Sequence, residues 1–192
     1  MYLRTERLVL REFTWHDLDA VYAYEFDPVV VAHVCYGPAT TEQCRQDLTF
    51  HINHQTAQPR AFYHLALVLP PEEQPIGWCG LQIVNPTRRE GELGYALHRT
   101  YWGFGYATEA AQAMLQFGFD HLGLHRIVGT CHPDNRRSIR VLEKAGMTYE
   151  GRLREHKWCR DHWRDTNLYS MLDHEWQSRR ARSVSSDWPG ER

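Results

Sequence analysis

Leu8, Leu10 and, more loosely, Phe13 alternate with Arg7, Val9 and Arg11 over residues 3–13, which predicts an edge strand. The period then changes. Over residues 15–25, Leu18, Val21, Tyr22 and Glu25 share one helical face, Thr14 and Asp17 can close a capping box, and Asp27-Pro28 stops the helix. Thr40 or Thr41 can cap a second helix to about residue 54, with Cys44, Leu48 and Ile52 at four-residue spacing. Three strands follow over residues 62–69, 76–84 and 90–98, separated by proline-containing turns, and read as an antiparallel meander. A helix over residues 105–119, a buried strand over 126–131 and a helix over 135–145 with Gly146 at its C′ position come next. Residues 147–158 and 167–176 then read as closing strands joined by a polar hairpin at 160–165. This order predicts an α+β fold around a mixed sheet, with one domain over residues 1–176. The Arg- and Ser-rich stretch 177–192 reads as a flexible tail.

The centre of the chain is Glu92-Leu93-Gly94-Tyr95-Ala96-Leu97, then Trp102-Gly103-Phe104-Gly105-Tyr106-Ala107, then the helix formers from Thr108 onward. A strand, a glycine-containing turn and a helix N-terminus together make an anion site. The first N–H groups of the helix lack internal acceptors and its dipole adds positive potential. Glycine lets the backbone approach a pyrophosphate closely. The turn is therefore expected to hold a phosphorylated cofactor, with chemistry beside the strand.

Composition narrows this. At 192 residues, 42% apolar and 24% charged, the chain fits one ordinary globular domain. A formal net charge of −2 gives no reason to expect nucleic-acid or membrane partners. No apolar run reaches the roughly 20 residues a membrane span needs. Cys35, Cys44, Cys79, Cys131 and Cys159 are odd in number, scattered and without a C-x-x-C pair. That argues against a disulfide framework or zinc ribbon and for a reducing, cytoplasmic setting.

On Thr5-Glu6-Arg7-Leu8-Val9-Leu10-Arg11, Glu92-Leu93-Gly94-Tyr95, Trp102 to Ala110, Asn135-Arg136-Arg137-Ser138 and Glu143 to Met147, the sequence resembles the GNAT superfamily of acetyl-CoA-dependent N-acetyltransferases. It is most similar to the RimJ/RimL-type branch. In the family's cofactor signature, Arg/Gln-x-x-Gly-x-Gly/Ala, Gly105 and Ala107 fill the last two places, and Trp102 stands where Arg or Gln is usual. The resemblance implies a GNAT fold and acetyl-CoA as cosubstrate without a metal. It also implies acetyl transfer by direct attack of a primary amine, an N-terminal Ala or Ser of a ribosomal protein in this branch. Polyamines, amino acids, aminoacyl nucleotides and antibiotics stay open as acceptors, and so does a homodimer.

The resemblance also orders the candidate residues. The turn residues Trp102, Gly103, Phe104, Gly105, Tyr106, Ala107 and Thr108 would seat the cofactor. Ala96, Leu97 and His98 would dock the pantetheine arm where their strand splays from the next, one N–H polarising the thioester carbonyl. An amine is mostly protonated at neutral pH, so a base is needed. Glu92 is the first candidate, and Glu90 lies on the same strand face. Asn135 would bond the cofactor arm, and Ser138, three residues on, would solvate the departing thiolate, since no Tyr occurs between Asn135 and Ala145. Either could instead be an ordinary helix-start residue. Arg136, Arg140 and Lys144 form a stripe that meets the 3′-phosphate or only solvent. Glu25, Tyr36 and Trp163 are candidates to contact a cationic amine, and Tyr95 and Tyr149 read as core.

Three rivals are weighed. A Rossmann unit fails because Thr108 fills the last glycine place and an antiparallel meander precedes the turn. A metal enzyme is prompted by twelve histidines, among them His121, His125, His156 and His162, but no H-E-x-x-H occurs. A non-catalytic acyl-CoA sensor would bind the cofactor without releasing thiol.

Overall fold

A computed structural model describes residues 1–185. Eight strands form one mixed sheet: β1 (Tyr2–Arg4), β2 (Val9–Arg11), β3 (Phe62–Val68), β4 (Pro75–Asn85), β5 (Glu90–Leu97), β6 (Arg126–Cys131), β7 (Thr148–Cys159) and β8 (His162–Leu172). Their spatial order is β1-β2-β3-β4-β5-β6-β8-β7, antiparallel throughout except for the β5–β6 pair. Helices α1 (Leu18–Glu25) and α2 (Thr41–His54) belong to one face, and α3 (Tyr106–Gln116) and α4 (Arg136–Ala145) to the other. The architecture is the α+β arrangement around a mixed sheet that the element order predicts.

The main core lies under α3 and α4. Leu65, Leu67, Leu81, Leu93 and Ile127 of the sheet pack against Ala110, Met114 and Leu115 of α3 and Leu142 of α4. The second, smaller core joins Phe13, Val21, Tyr24, Cys44, Leu48 and Ala66. Side chains alternate across a strand, so these two sets place Leu93 and Leu97 of β5 toward α3, and Glu90, Glu92, Gly94 and Ala96 toward the α1–α2 side.

Several boundaries differ from the sequence reading. The stretch 3–13 is two short strands, because Thr5 and Leu8 close a turn through N–H and O–H bonds. Trp15–Asp17 is a 3-10 turn ahead of α1, with the Thr14–Asp17 capping box present. Helix α3 widens into a π-turn over Phe117–His121. The closing hairpin turns on two residues, Arg160 and Asp161, both at positive φ (48° and 63°). β8 ends at Leu172, and α5 (Asp173–Ser185) follows, occupying much of the stretch expected to be a tail. Trp176, read as the end of the last strand, stacks on Phe119, and Arg180, read as tail, pairs with Asp120 at 2.7 Å, which docks this helix. The remaining tail residues, 186–192, lie outside the described residues.

The cysteine expectation is also corrected. Cys35 and Cys159, 124 positions apart, are joined in a disulfide. Sequence spacing carries no information about which loops meet. Here the 27–40 loop docks on the β7–β8 hairpin, where the Arg160 guanidinium donates to the carbonyls of Val31 and Tyr36. Cys44, Cys79 and Cys131 are free and buried. Among the described residues no helix is long and apolar enough to cross a membrane.

Candidate active site

β5 and β6 pair in parallel over only four residues, Glu90↔Arg126 to Leu93↔Gly129, and then part. The other side of β5 remains paired to β4 as far as Leu97. His98 donates its N–H to the Ile76 carbonyl at 2.9 Å, so the ladder's alternation aims the main-chain groups of Ala96 at β4 and those of Tyr95 and Leu97 at the gap. The Leu97 carbonyl is capped by the Trp102 indole N–H at 2.8 Å. The docking role expected of Ala96, Leu97 and His98 is therefore open to the N–H of Leu97 and to Tyr95, while His98 is committed to the sheet.

The glycine turn closes one end of that gap. Gly103 and Gly105 have φ of 88° and 86°, a conformation that other residues adopt only with strain. α3 makes its first internal bond from Glu109 N–H to the Gly105 carbonyl, which leaves the N–H groups of Tyr106, Ala107 and Thr108 without helical acceptors. A cradle of glycines and outward amides suits a diphosphate.

Two motifs far apart in sequence hold this turn. The Glu109 carboxylate accepts from Thr5 O–H (2.6 Å), Arg7 N–H (2.8 Å) and the Arg7 guanidinium (2.7 Å). Arg7 also donates to the Phe104 carbonyl at 2.9 Å and lies over the Tyr106 ring at 4.7 Å. Burial alone raises the Glu109 pKa, but these donors outweigh it and hold the carboxyl below its ordinary value. Phe104 itself is exposed and stacks on Tyr106.

The two candidate catalytic residues sit on opposite faces of the sheet where the gap opens. Glu92 accepts a hydrogen bond from Thr130 O–H at 2.9 Å, and Thr130 Oγ1 accepts in turn from Lys157 Nζ at 3.2 Å. Glu90 is bound up elsewhere: it pairs with Arg126, which also clamps Glu150. On the other face, Asn135 caps α4 by accepting the Ser138 N–H at 3.1 Å. Ser138 Oγ lies 2.8 Å from the Tyr95 hydroxyl. Tyr95, read from sequence as core, thus carries its polar end to the candidate serine, and burial raises its pKa well above the usual phenol value. Its odd-numbered position, opposite in face to Glu92, was the signal available. Tyr149, also read as core, is instead about half exposed and packs on Tyr169.

Glu25 is 8% exposed, burial raises its carboxyl pKa, and Tyr36 and Trp78 are its polar neighbours. Trp78 covers Gly94, where an added Cβ would come within 3.0 Å of the ring. Glu25 and Tyr36 thus line the same sheet face as Glu92, whereas Trp163 stands at the hairpin tip against Trp158. Arg136, Arg140 and Lys144 are exposed on α4. A cavity of about 340 Å³ lies between the β6–α4 loop and the hairpin, lined by His132, Asp134, Arg152, His162 and Trp163. A larger one, about 650 Å³, lies across α3 beside α5, and none of the candidate site residues lines it. No group of three or more His, Cys, Asp or Glu among the described residues is arranged to hold a metal.

Against known proteins, residues 7–148 match the acetyltransferase (GNAT) domain family model, and the chain belongs to that family. It is 34% identical over 176 residues to the uncharacterized N-acetyltransferase YnaD of Bacillus subtilis, covering 92% of this chain and 99% of that one. A GNAT-family acetyltransferase from Bacillus anthracis superposes with a TM-score of 0.83 at 32% identity, over 91% of this chain and all of that one. The ribosomal-protein-serine acetyltransferase of Escherichia coli is 30% identical over 101 residues, 53% of this chain and 56% of its own length. The chain is an acetyl-CoA-dependent acetyltransferase.

Proposed function

We propose that the chain moves an acetyl group from acetyl-CoA to a primary amine by direct attack, in the gap between β5 and β6. The observation that carries this reading is the parting of those strands after Leu93, beside a two-glycine turn, with Glu92 on one face and the Tyr95–Ser138 pair on the other. Acetyl-CoA supplies the acetyl group as an activated thioester. Tyr106, Ala107 and Thr108 N–H groups hold the diphosphate, and the Leu97 N–H is placed to polarise an acyl carbonyl in the gap. Glu92, held by Thr130, takes the proton that the amine must lose, directly or through one water. Ser138, with Tyr95 behind it, donates a hydrogen bond toward the thiolate side.

The acceptor we favour is a protein N-terminus carrying Ala or Ser, in keeping with the RimJ/RimL-type motifs and the similarity to the ribosomal-protein-serine acetyltransferase of Escherichia coli. A small amine is the second reading. It is favoured by the fixed wall that the Cys35–Cys159 link and Arg160 build beside this face. Thiol release from acetyl-CoA, measured against Ala- and Ser-initiated peptides, polyamines, amino acids and aminoglycosides, distinguishes the two. Turnover confined to peptides supports the first and turnover confined to small amines the second. Cofactor binding with no release across the panel would turn the reading to a non-catalytic sensor.

A further inference from the structure

Arg137 has no local reason to be where it is. It occupies the first turn of α4, where the helix dipole repels a cation. Among the described residues it has no carboxylate partner, and it is exposed. Its guanidinium instead lies over the ring of Trp102, 4.7 Å from the centroid. Trp102 holds the motif place at which this family usually carries Arg or Gln, and its own indole N–H is spent on the Leu97 carbonyl. The turn has therefore lost a side-chain donor at that place, and α4 has brought a guanidinium to the same ring from across the gap. Two helix N-termini, of α3 and α4, converge there with it, so the field at this point favours an anion.

We infer that Arg137 is a binding residue for the cofactor's diphosphate, replacing from α4 the cation that Trp102 displaces from the turn, with the Trp102 ring as its platform. This rests on acetyl-CoA as the cosubstrate. It is set apart from Arg136, Arg140 and Lys144 by its seat over the Trp102 ring. The planar fork of Arg can bond two phosphate oxygens while stacked, which Lys cannot do.

The test is equilibrium binding by calorimetry of CoA, dephospho-CoA and pantetheine to wild type, Arg137→Ala and Arg137→Lys. Dephospho-CoA keeps the diphosphate and lacks the 3′-phosphate, while pantetheine lacks both. Arg137→Ala should weaken CoA and dephospho-CoA equally, by about ten- to a hundredfold, the range for a hydrogen bond to a charged group. Pantetheine binding should be unchanged, and Arg137→Lys should recover only part of the loss. Unchanged CoA affinity overturns the inference. A loss that vanishes with dephospho-CoA assigns Arg137 to the 3′-phosphate, and an equal loss with pantetheine assigns it a purely structural role, either of which also overturns it. Wild type that binds none of the three would instead sink the acetyl-CoA reading itself.

Discussion

Lowering the pH from 7.5 to 5 is expected to destabilise the fold through two histidines that meet between α2 and β3. His51 stacks on Phe13 and on His64, and His64 stacks on Trp78. The Nδ1 atoms of both are buried without a hydrogen-bond partner. Burial, reinforced by the neighbouring His54, brings His51 down to about 4; burial, His51 and Arg60 bring His64 down to about 3. A histidine whose folded pKa is depressed is held neutral. Its cost to the fold therefore begins as pH drops below the unfolded value near 6.5 and grows until the folded value is reached. At pH 5 each is about 1.5 units into that window, at roughly 1.4 kcal/mol per unit, or about 2 kcal/mol apiece. The two lie against one another, so about 2–4 kcal/mol for the pair is the working figure. Other groups differ in pH window or in sign, except His33. Glu150, held at about 2 by the Arg126 guanidinium and Ser170, loses its contribution only at much lower pH. Burial raises the carboxyls of Glu25 and Asp47, which take up protons on acidification with the opposite sign. Burial lowers His33, which adds in the same direction. Urea unfolding at pH 7.5 and 5, for wild type and for a His51→Phe/His64→Phe double variant, measures the effect. Wild type should lose those few kcal/mol and the double variant most of that loss should escape. Equal losses in the two proteins would refute the reasoning.

Four further outcomes follow from the site. Gly105→Glu puts a Cβ at φ 86° and a negative charge against the anion cradle, so calorimetry should show acetyl-CoA affinity falling by at least about tenfold. Glu92→Gln should lower turnover most at pH values below the amine's own pKa, and an unaltered pH–rate profile removes Glu92 from proton transfer. Glu109→Gln loses charge-assisted bonds to Thr5 and Arg7; with Arg7 42% exposed, a loss of about 1–2 kcal/mol in urea unfolding is expected, together with weaker CoA binding. Ser138→Ala should slow thiol release while leaving CoA affinity near wild type, and Tyr95→Phe should do so less. Equal turnover by both variants would leave the pair structural.

Much of this was legible in the sequence because it is encoded locally. Thr40 before α2, Asn135 before α4 and Gly146 after it mark helix ends through bonds that span three or four residues, and the structure has them where the spacing puts them. The two glycines at positive φ were visible for the same reason. What escaped depends on contacts that cross the chain. That Arg7 serves Glu109, 102 positions away, cannot be seen in either motif alone. Nor can the meeting of Cys35 with Cys159, or the arrival of Tyr95 at Ser138. Tyr95 reads as core because its ring packs there, and nothing local shows that its buried hydroxyl meets Ser138. The α5 helix was missed because its composition is Arg- and Ser-rich, and its anchors, Trp176 and Arg180, find their partners on the π-turn after α3.

The fastening of the 27–40 loop to the hairpin shares no residue with the fastening of the glycine turn by Thr5, Arg7 and Glu109. A lineage could therefore remodel that loop, trading one nucleophile preference for another, without disturbing affinity for the acyl donor. Apart from the Asp27–Arg99 ion pair, which ties the start of the loop to the stretch before the turn, the two fastenings are separate, and the hunt for this enzyme's natural recipient belongs in the loop.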